Sequence, residues 1–152
     1  MAFFDSMKVN LFSEMQGIVT LEGKPVSGAT VTRTAIPSND KEYTDTTQTD
    51  NAGRFNFGVM ETHLFLKLLP SNSTIHQKII IDYAGQQYLA WKILAASDRP
   101  NGELNERDVI GTEQEVFIDL VCELTAPETA KAGAYTSAVF GLCTWPNAEF
   151  LD

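Results

Sequence analysis

The feature that most constrains this chain is its punctuation. Short runs rich in Val, Ile, Thr, Phe and Tyr alternate with Gly, Pro, Asn and Asp along nearly its whole length. A helix needs apolar residues at three- and four-residue spacing over ten or more positions, and no stretch supplies them. Only 103–109 and 127–132 offer a turn or two of helix. Short β-prone runs bounded by turn residues are the pattern of an all-β sandwich or barrel. The runs fall at Met15–Leu21, Ala29–Thr34, Glu42–Thr49, Arg54–Phe57, Thr62–Leu69, Ile75–Tyr83, Gln86–Ile93 and Glu115–Leu124.

Side-chain alternation assigns faces within these runs. Ala29, Val31 and Arg33 share one face, and Phe55 and Phe57 enter one core. Val116, Ile118, Leu120 and Cys122 line one face of the last core strand. Glu22-Gly23-Lys24-Pro25 and Asp50-Asn51-Ala52-Gly53 are turns, and Ala84-Gly85 joins a hairpin. Leu94 to Asn105 reads as a long loop. Residues 125–152 are rich in Ala, Gly and Thr but carry Tyr135, Phe140, Trp145 and Phe150. Four aromatics argue for a segment docked on the sandwich in largely irregular form, with one strand near 136–143.

Composition removes several functions. At 152 residues the chain is one domain, long enough to bury a core without metal or crosslinks. No apolar run approaches the 18 or so residues of a membrane span. Eleven basic residues against twenty acidic ones leave a net charge of −9, which repels a phosphate backbone, so nucleic acid is not an expected partner. Asp5 and Lys8 interrupt the apolar start, and no basic residue precedes it. That is not a secretory signal, so a cytoplasmic location is expected. In a reducing compartment Cys122 and Cys143 are expected as buried free thiols, a disulfide being the alternative.

One stretch carries a more specific signal. Gly17-x-Val19 is followed by Gly23-x-Pro25-Val26-x-Gly28-Ala29-x-Val31. After a loop comes Thr47-x-Thr49-Asp50-x-x-Gly53-x-Phe55-x-Phe57. This resembles the carboxypeptidase regulatory-like family, a transthyretin-like (prealbumin-like) domain. The resemblance implies a seven- to eight-stranded antiparallel β-sandwich over 14–124. Residues 1–13 would be an N-terminal extension and 125–152 the docked C-terminal segment. Within the pattern Gly28-Ala29 is expected to let two backbones approach, and Asp50 to cap the tight turn at Gly53. Such domains are usually non-catalytic, stabilising an enzyme or mediating protein contacts.

Chemistry finds little support in the residues. The C-terminus lacks the Tyr-Arg-Gly-Ser ending of hydroxyisourate hydrolases. His63 and His76 do not match the two-Tyr, two-His iron set of intradiol dioxygenases. No Gly-x-Ser-x-Gly elbow or phosphate-cradling loop occurs. The expectation is a protein with no enzymatic activity, metal or cofactor; an unusual site using His63, His76 or Asp82 is the minor alternative. Asp98-x-x-Asn101-Gly102-Glu103 offers oxygen ligands, but Pro100 and Gly102 break the EF-hand pattern.

Charge instead points to a surface. From Asp98 to Glu128 nine acids face only Arg99 and Arg107, so −7 of the total −9 sits in a fifth of the chain. The candidate partner-binding residues are Asp98, Glu103, Glu106, Asp108, Glu113 and Glu115, with Trp145 as an aromatic anchor. The expected function is a non-enzymatic protein-binding module that takes a basic partner. By analogy with transthyretin-like domains in bacterial toxin–immunity pairs and contractile (type VI) secretion systems, it could serve as an immunity protein or adaptor. The alternative is a structural, oligomer-forming accessory domain, with the Thr-rich run 42–49 as a pairing edge. The sequence leaves monomer and homodimer both open.

Overall fold

The computed structural model describes residues 6–12, 14–37, 42–65, 74–96, 118–132 and 138–145. In chain order the strands are β1 (Ser6–Phe12), β2 (Met15–Leu21), β3 (Lys24–Pro25), β4 (Thr30–Pro37), β5 (Tyr43–Gln48) and β6 (Arg54–Phe57). They continue with β7 (Met60–Phe65), β8 (Thr74–Tyr83), β9 (Gln86–Ala96), β10 (Ile118–Glu123), β11 (Thr129–Ala132) and β12 (Ala138–Gly141). No helix occurs among the described residues. A six-stranded sheet runs β11-β12-β9-β8-β4-β5. A four-stranded sheet runs β10-β2-β3, with β6 also on β2, and β1 pairs with β7. The protein is thus all-β, with the two larger sheets in a sandwich-like arrangement.

The core follows the alternation expected of each run. Ala29, Val31 and Arg33 of one face are all buried, as are Phe55 and Phe57. Ile118, Leu120 and Cys122 are fully buried on β10. The β8–β9 hairpin turns on Ala84 and Gly85, both at positive φ (53° and 78°), as a two-residue turn between twisted strands requires.

Several expectations change. β10 lies parallel to β2, from Ile118 opposite Met15 to Glu123 opposite Thr20, so the sandwich is not wholly antiparallel. Residues 6–12 form a strand rather than an extension, and Phe12 is fully buried. Residues 129–132 are strand, where a helical turn was an option. β9 continues through Ala96, shortening the loop expected from Leu94. The proposed turn at 103–109 lies outside the described residues.

β1 and β2, read together, face β7 and β6 as one interrupted antiparallel ladder. Phe12 is opposite Met60, and the pairing resumes with Met15 opposite Phe57. The chain is out of register-bonded strand at residues 58–59, which leaves backbone polar groups to be satisfied by something else. The close backbone approach expected at Gly28 occurs elsewhere. A Cβ on Gly28 would meet nothing, whereas one on Gly53 would sit 2.6 Å from the Val19 carbonyl oxygen, at a backbone φ of +76°.

The far end of the molecule holds a corner. β12 pairs with β9, Leu142 N and Cys143 N still donate to the Leu89 and Ala90 carbonyls of β9, and Thr144 then exchanges two backbone hydrogen bonds with Val121 of β10 (2.9 and 2.8 Å). One chain segment therefore belongs to both layers. Gly141 turns this corner at φ +132°, where a Cβ would come within 2.3 Å of the Ala90 carbonyl oxygen. Ala90 is itself the extra residue of a bulge in the β8–β9 ladder. Bulge and glycine coincide, which is how strands pass from one sheet to another.

Candidate functional site

The cysteines lie at this corner. Since Val121 and Thr144 are a hydrogen-bonded antiparallel pair, Cys122 and Cys143 form the next, non-hydrogen-bonded pair, where side chains approach most closely. They are joined in a disulfide that closes 21 residues of separation. The free-thiol expectation is thereby replaced: the crosslink fastens β10 of one sheet to the strand leaving the other. Trp145 follows directly, 5% exposed, its ring edge-on to Trp91 with centroids 5.6 Å apart. It is a core residue, as the docking of the aromatic C-terminal segment implied, and not the exposed partner-binding anchor that was the other reading. Its burial leaves an indole N–H with no acceptor among the described residues, and Trp91 shares that condition.

At the other end of β2 the break in the long ladder is filled by a cation. Arg33 of β4 is 1% exposed. Its guanidinium lies 4.6 Å from the Phe57 ring centroid and 5.2 Å from that of Phe12. Nη2 donates to the Gly58 carbonyl, one of the groups released where the ladder parts. Nε and Nη2 both donate to Asp45 Oδ2, at 3.2 and 2.9 Å. Asp45 stands directly across from Arg33 on β5. A buried charge is tolerated only when paired and hydrogen-bonded, and all three supports are present. Beside this plug opens a groove of about 390 Å³ lined by Glu14, Met15, Gln16, Asn56, Phe57 and Gly58.

A third polar centre forms at the end of β10. Both oxygens of Glu123 are occupied: Oε1 accepts from Thr20 Oγ1 and Gly23 N, and Oε2 from Glu22 N, Thr125 N and Thr125 Oγ1, at 2.7–3.1 Å. These donors favour the charged form, so the carboxyl is held down to about 2, Thr125 contributing most. Asp50 does the same for the turn it was expected to cap. Its Oδ1 accepts from Arg54 N and Ala52 N, both at 2.9 Å, and these bonds lower its pKa.

β5 is one edge of the six-stranded sheet, and among the described residues no strand pairs with its outer side. Thr49 N donates to the Ala29 carbonyl, which sets the alternation of the β4–β5 ladder. Tyr43, Asp45 and Thr47 therefore bond inward to β4, and the backbone groups of Thr44, Thr46 and Gln48 point outward. The side chains of those three are exposed.

Of the residues expected to meet a partner, Asp98, Glu103, Glu106, Asp108, Glu113 and Glu115 lie outside the described residues. So does the oxygen-rich stretch 98–103. Asp119, Glu123 and Glu128 of the same acidic stretch are described, and Glu123 is engaged by its cap. His63 is placed on β7 opposite Lys8, and an exposed His76 on β8 opposite Ile36. Asp82 faces Thr30 on that same sheet. The two histidines lie on strands of different sheets. Among the described residues no three His, Cys, Asp or Glu side chains converge as a metal site, and no helix is long and apolar enough to cross a membrane.

Sequence reasoning put Arg33 on one face with Ala29 and Val31 without calling it buried or giving it a task. The signal was there: a strand face of Ala29 and Val31 cannot continue with an arginine unless a carboxylate or carbonyl meets it. Asp45 and Glu123 left no such signal, because their partners depend on pairing between distant strands.

Residues 15–127 match the family described as Domain of unknown function (DUF6795). The chain belongs to that family. The DUF6795 region opens on the first residue of β2 and runs past the Glu123 cap, so it takes in the Arg33 plug, the β5 edge and Cys122 but not Cys143. No curated protein matches the chain.

Proposed function

We propose that the protein is a non-catalytic binding module for a basic protein partner, built on a carboxypeptidase regulatory-like, transthyretin-like sandwich. The observation that carries this reading is the charge distribution. Nine acids against two bases crowd 98–128, and a field of one sign raises association rates with an oppositely charged protein. An immunity protein or a secretion adaptor would use such a surface. Two polar centres of the described residues are spent on structure: the buried Arg33 on a ladder break and the more exposed Glu123 on a turn. The Cys122–Cys143 disulfide supports an oxidising compartment over the cytoplasm expected from the N-terminus.

The second reading, an oligomer-forming accessory domain, has the open β5 edge in its favour and the net charge of −9 against it. The test is affinity capture from extracts of the source cells with crosslinking and mass spectrometry. A stoichiometric basic partner crosslinked within 98–128, and lost when Glu103, Glu106 and Asp108 are changed to Lys, is the expected result. Recovery of the chain alone, or of a partner indifferent to those changes, counts against the reading.

A further inference from the structure

Sheet edges carry unpaired N–H and C=O groups, and proteins usually guard them with short length, Pro, Lys or bulges. Among the described residues the edges of the two larger sheets are guarded unequally. On β10 the N–H and C=O of Val121 are taken by Thr144. β3 has two residues, one of them Pro25, which has no N–H to offer. β11 has four residues and includes Lys131. On β6 the backbone N–H and C=O of Arg54 are taken by Asp50. β5 has six residues, contains neither Pro nor Lys, and pairs with β4 over all six without a register shift.

Its one charge, Asp45, points toward the sheet, a common guard in itself. Here the guard is half withdrawn. Arg33 takes Oδ2 for both of its bonds to this residue, and among the described residues Oδ1 accepts none. The Asp45 side chain stays 47% exposed. An incoming strand on the free side of β5 would set one of its side chains beside that oxygen. A second copy of this chain is a poor occupant, because it would bring another net charge of −9 alongside.

We propose that β5 is a docking edge that accepts an extended segment of a different protein as an added strand, with a Lys or Arg of that segment set against Asp45 Oδ1. Backbone bonds to Thr44, Thr46 and Gln48 supply the hold, and the Asp45 contact supplies the choice of residue. The proposal rests on the binding-module reading only for the sign of the partner's charge.

The test is residue-resolved amide hydrogen exchange on the full chain. The probe is an acetylated, amidated heptapeptide of alternating Thr and Val with Lys at its centre, compared with the same peptide carrying Glu there. The Lys peptide is expected to slow exchange at Thr44, Thr46 and Gln48 by about tenfold, and the Glu peptide to leave it nearly unchanged. Thr46→Pro removes one outward N–H while sparing the bonds to β4, and it should abolish the protection. Asp45→Asn should keep the protection and erase the preference for Lys, which guards against a Thr46→Pro chain that does not fold. No protection by either peptide overturns the proposal. So does protection that rises with protein concentration alone, which would make the occupant a second copy. A captured basic partner whose footprint spares 43–48 overturns the edge while leaving the binding-module reading in place.

Discussion

The two ends of β2 are closed by different chemistry. Near Met15 the long ladder parts, and a buried cation fills the gap with donors to a carbonyl and a carboxylate and two aromatic faces to rest on. Near Val19, which is opposite Cys122, the layers are fastened covalently and a strand crosses from one sheet to the other. The first closure depends on every partner being present in the folded state. The second acts largely by limiting the unfolded chain. What the contrast teaches is that similar stability can be held in forms that respond to different perturbations: one to loss of a side chain, the other to a reductant.

Truncating the plug should have the largest effect. Arg33→Ala leaves a cavity, an orphaned Gly58 carbonyl and an unpaired Asp45, and is expected to cost about 4 kcal/mol. For a chain this size that is a fall of roughly 10 °C in thermal midpoint, readable by calorimetry. Arg33→Met keeps the contact with Phe12 and Phe57 and should cost about half as much, because only the polar partners are lost. Equal losses for the two variants would break the comparison, since the packing on Phe12 and Phe57 would then contribute nothing; an Arg33→Met chain as stable as the wild type would show the same of the charge.

Opening the other end should cost slightly less. Replacing Cys122 and Cys143 together by Ala, or reducing the wild type with a dithiol, is expected to lower stability by about 3 kcal/mol from loop entropy. A dithiol should leave the Arg33→Met decrement intact, and the two losses should add within about 0.5 kcal/mol because the sites share no partner. Marked non-additivity in urea melts would show that the two ends are one unit.

Much of this was legible locally. Phe55, Phe57 and the Ala29–Val31–Arg33 face were read correctly because alternation within one strand decides them, and the Ala84-Gly85 hairpin because positive φ favours particular residues. The β10–β2 parallel pair, the β1 strand, the Arg33 acceptors and the cysteine pairing were not. Each depends on segments far apart in the chain, and residue type alone does not specify which strand lies alongside which. Gly28 shows the same limit at small scale. Its motif position was evident, but the close approach belongs to Gly53, whose neighbour Val19 is supplied by another strand.

That pair gives a finer test. Gly53→Ala must accept a left-handed backbone and a clash with a carbonyl, and is expected to cost about 3 kcal/mol. Gly28→Ala, at φ +78° in open space, should cost about 1 kcal/mol. Similar losses from both, measured by chemical denaturation, would place the close approach elsewhere.

The smallest expected effect concerns Glu123. Its folded-state pKa lies below the ordinary 4.5, at about 2. A depressed carboxyl stabilises the fold above the unfolded value and loses that contribution as pH falls from about 4.5 toward 2. The denaturation midpoint should therefore drop on acidification through this range, and Glu123→Gln should flatten the drop. A variant with an unchanged pH profile would remove the cap from the account.

Amide exchange along β5 in the protein alone tests the central claim most directly, namely a sandwich closed at both ends of β2 with the outer side of β5 left unpaired. Thr44, Thr46 and Gln48 should exchange rapidly while Tyr43, Asp45 and Thr47, bonded to β4, exchange slowly. Uniform protection across all six amides in dilute solution would contradict it, because the edge would then already be covered.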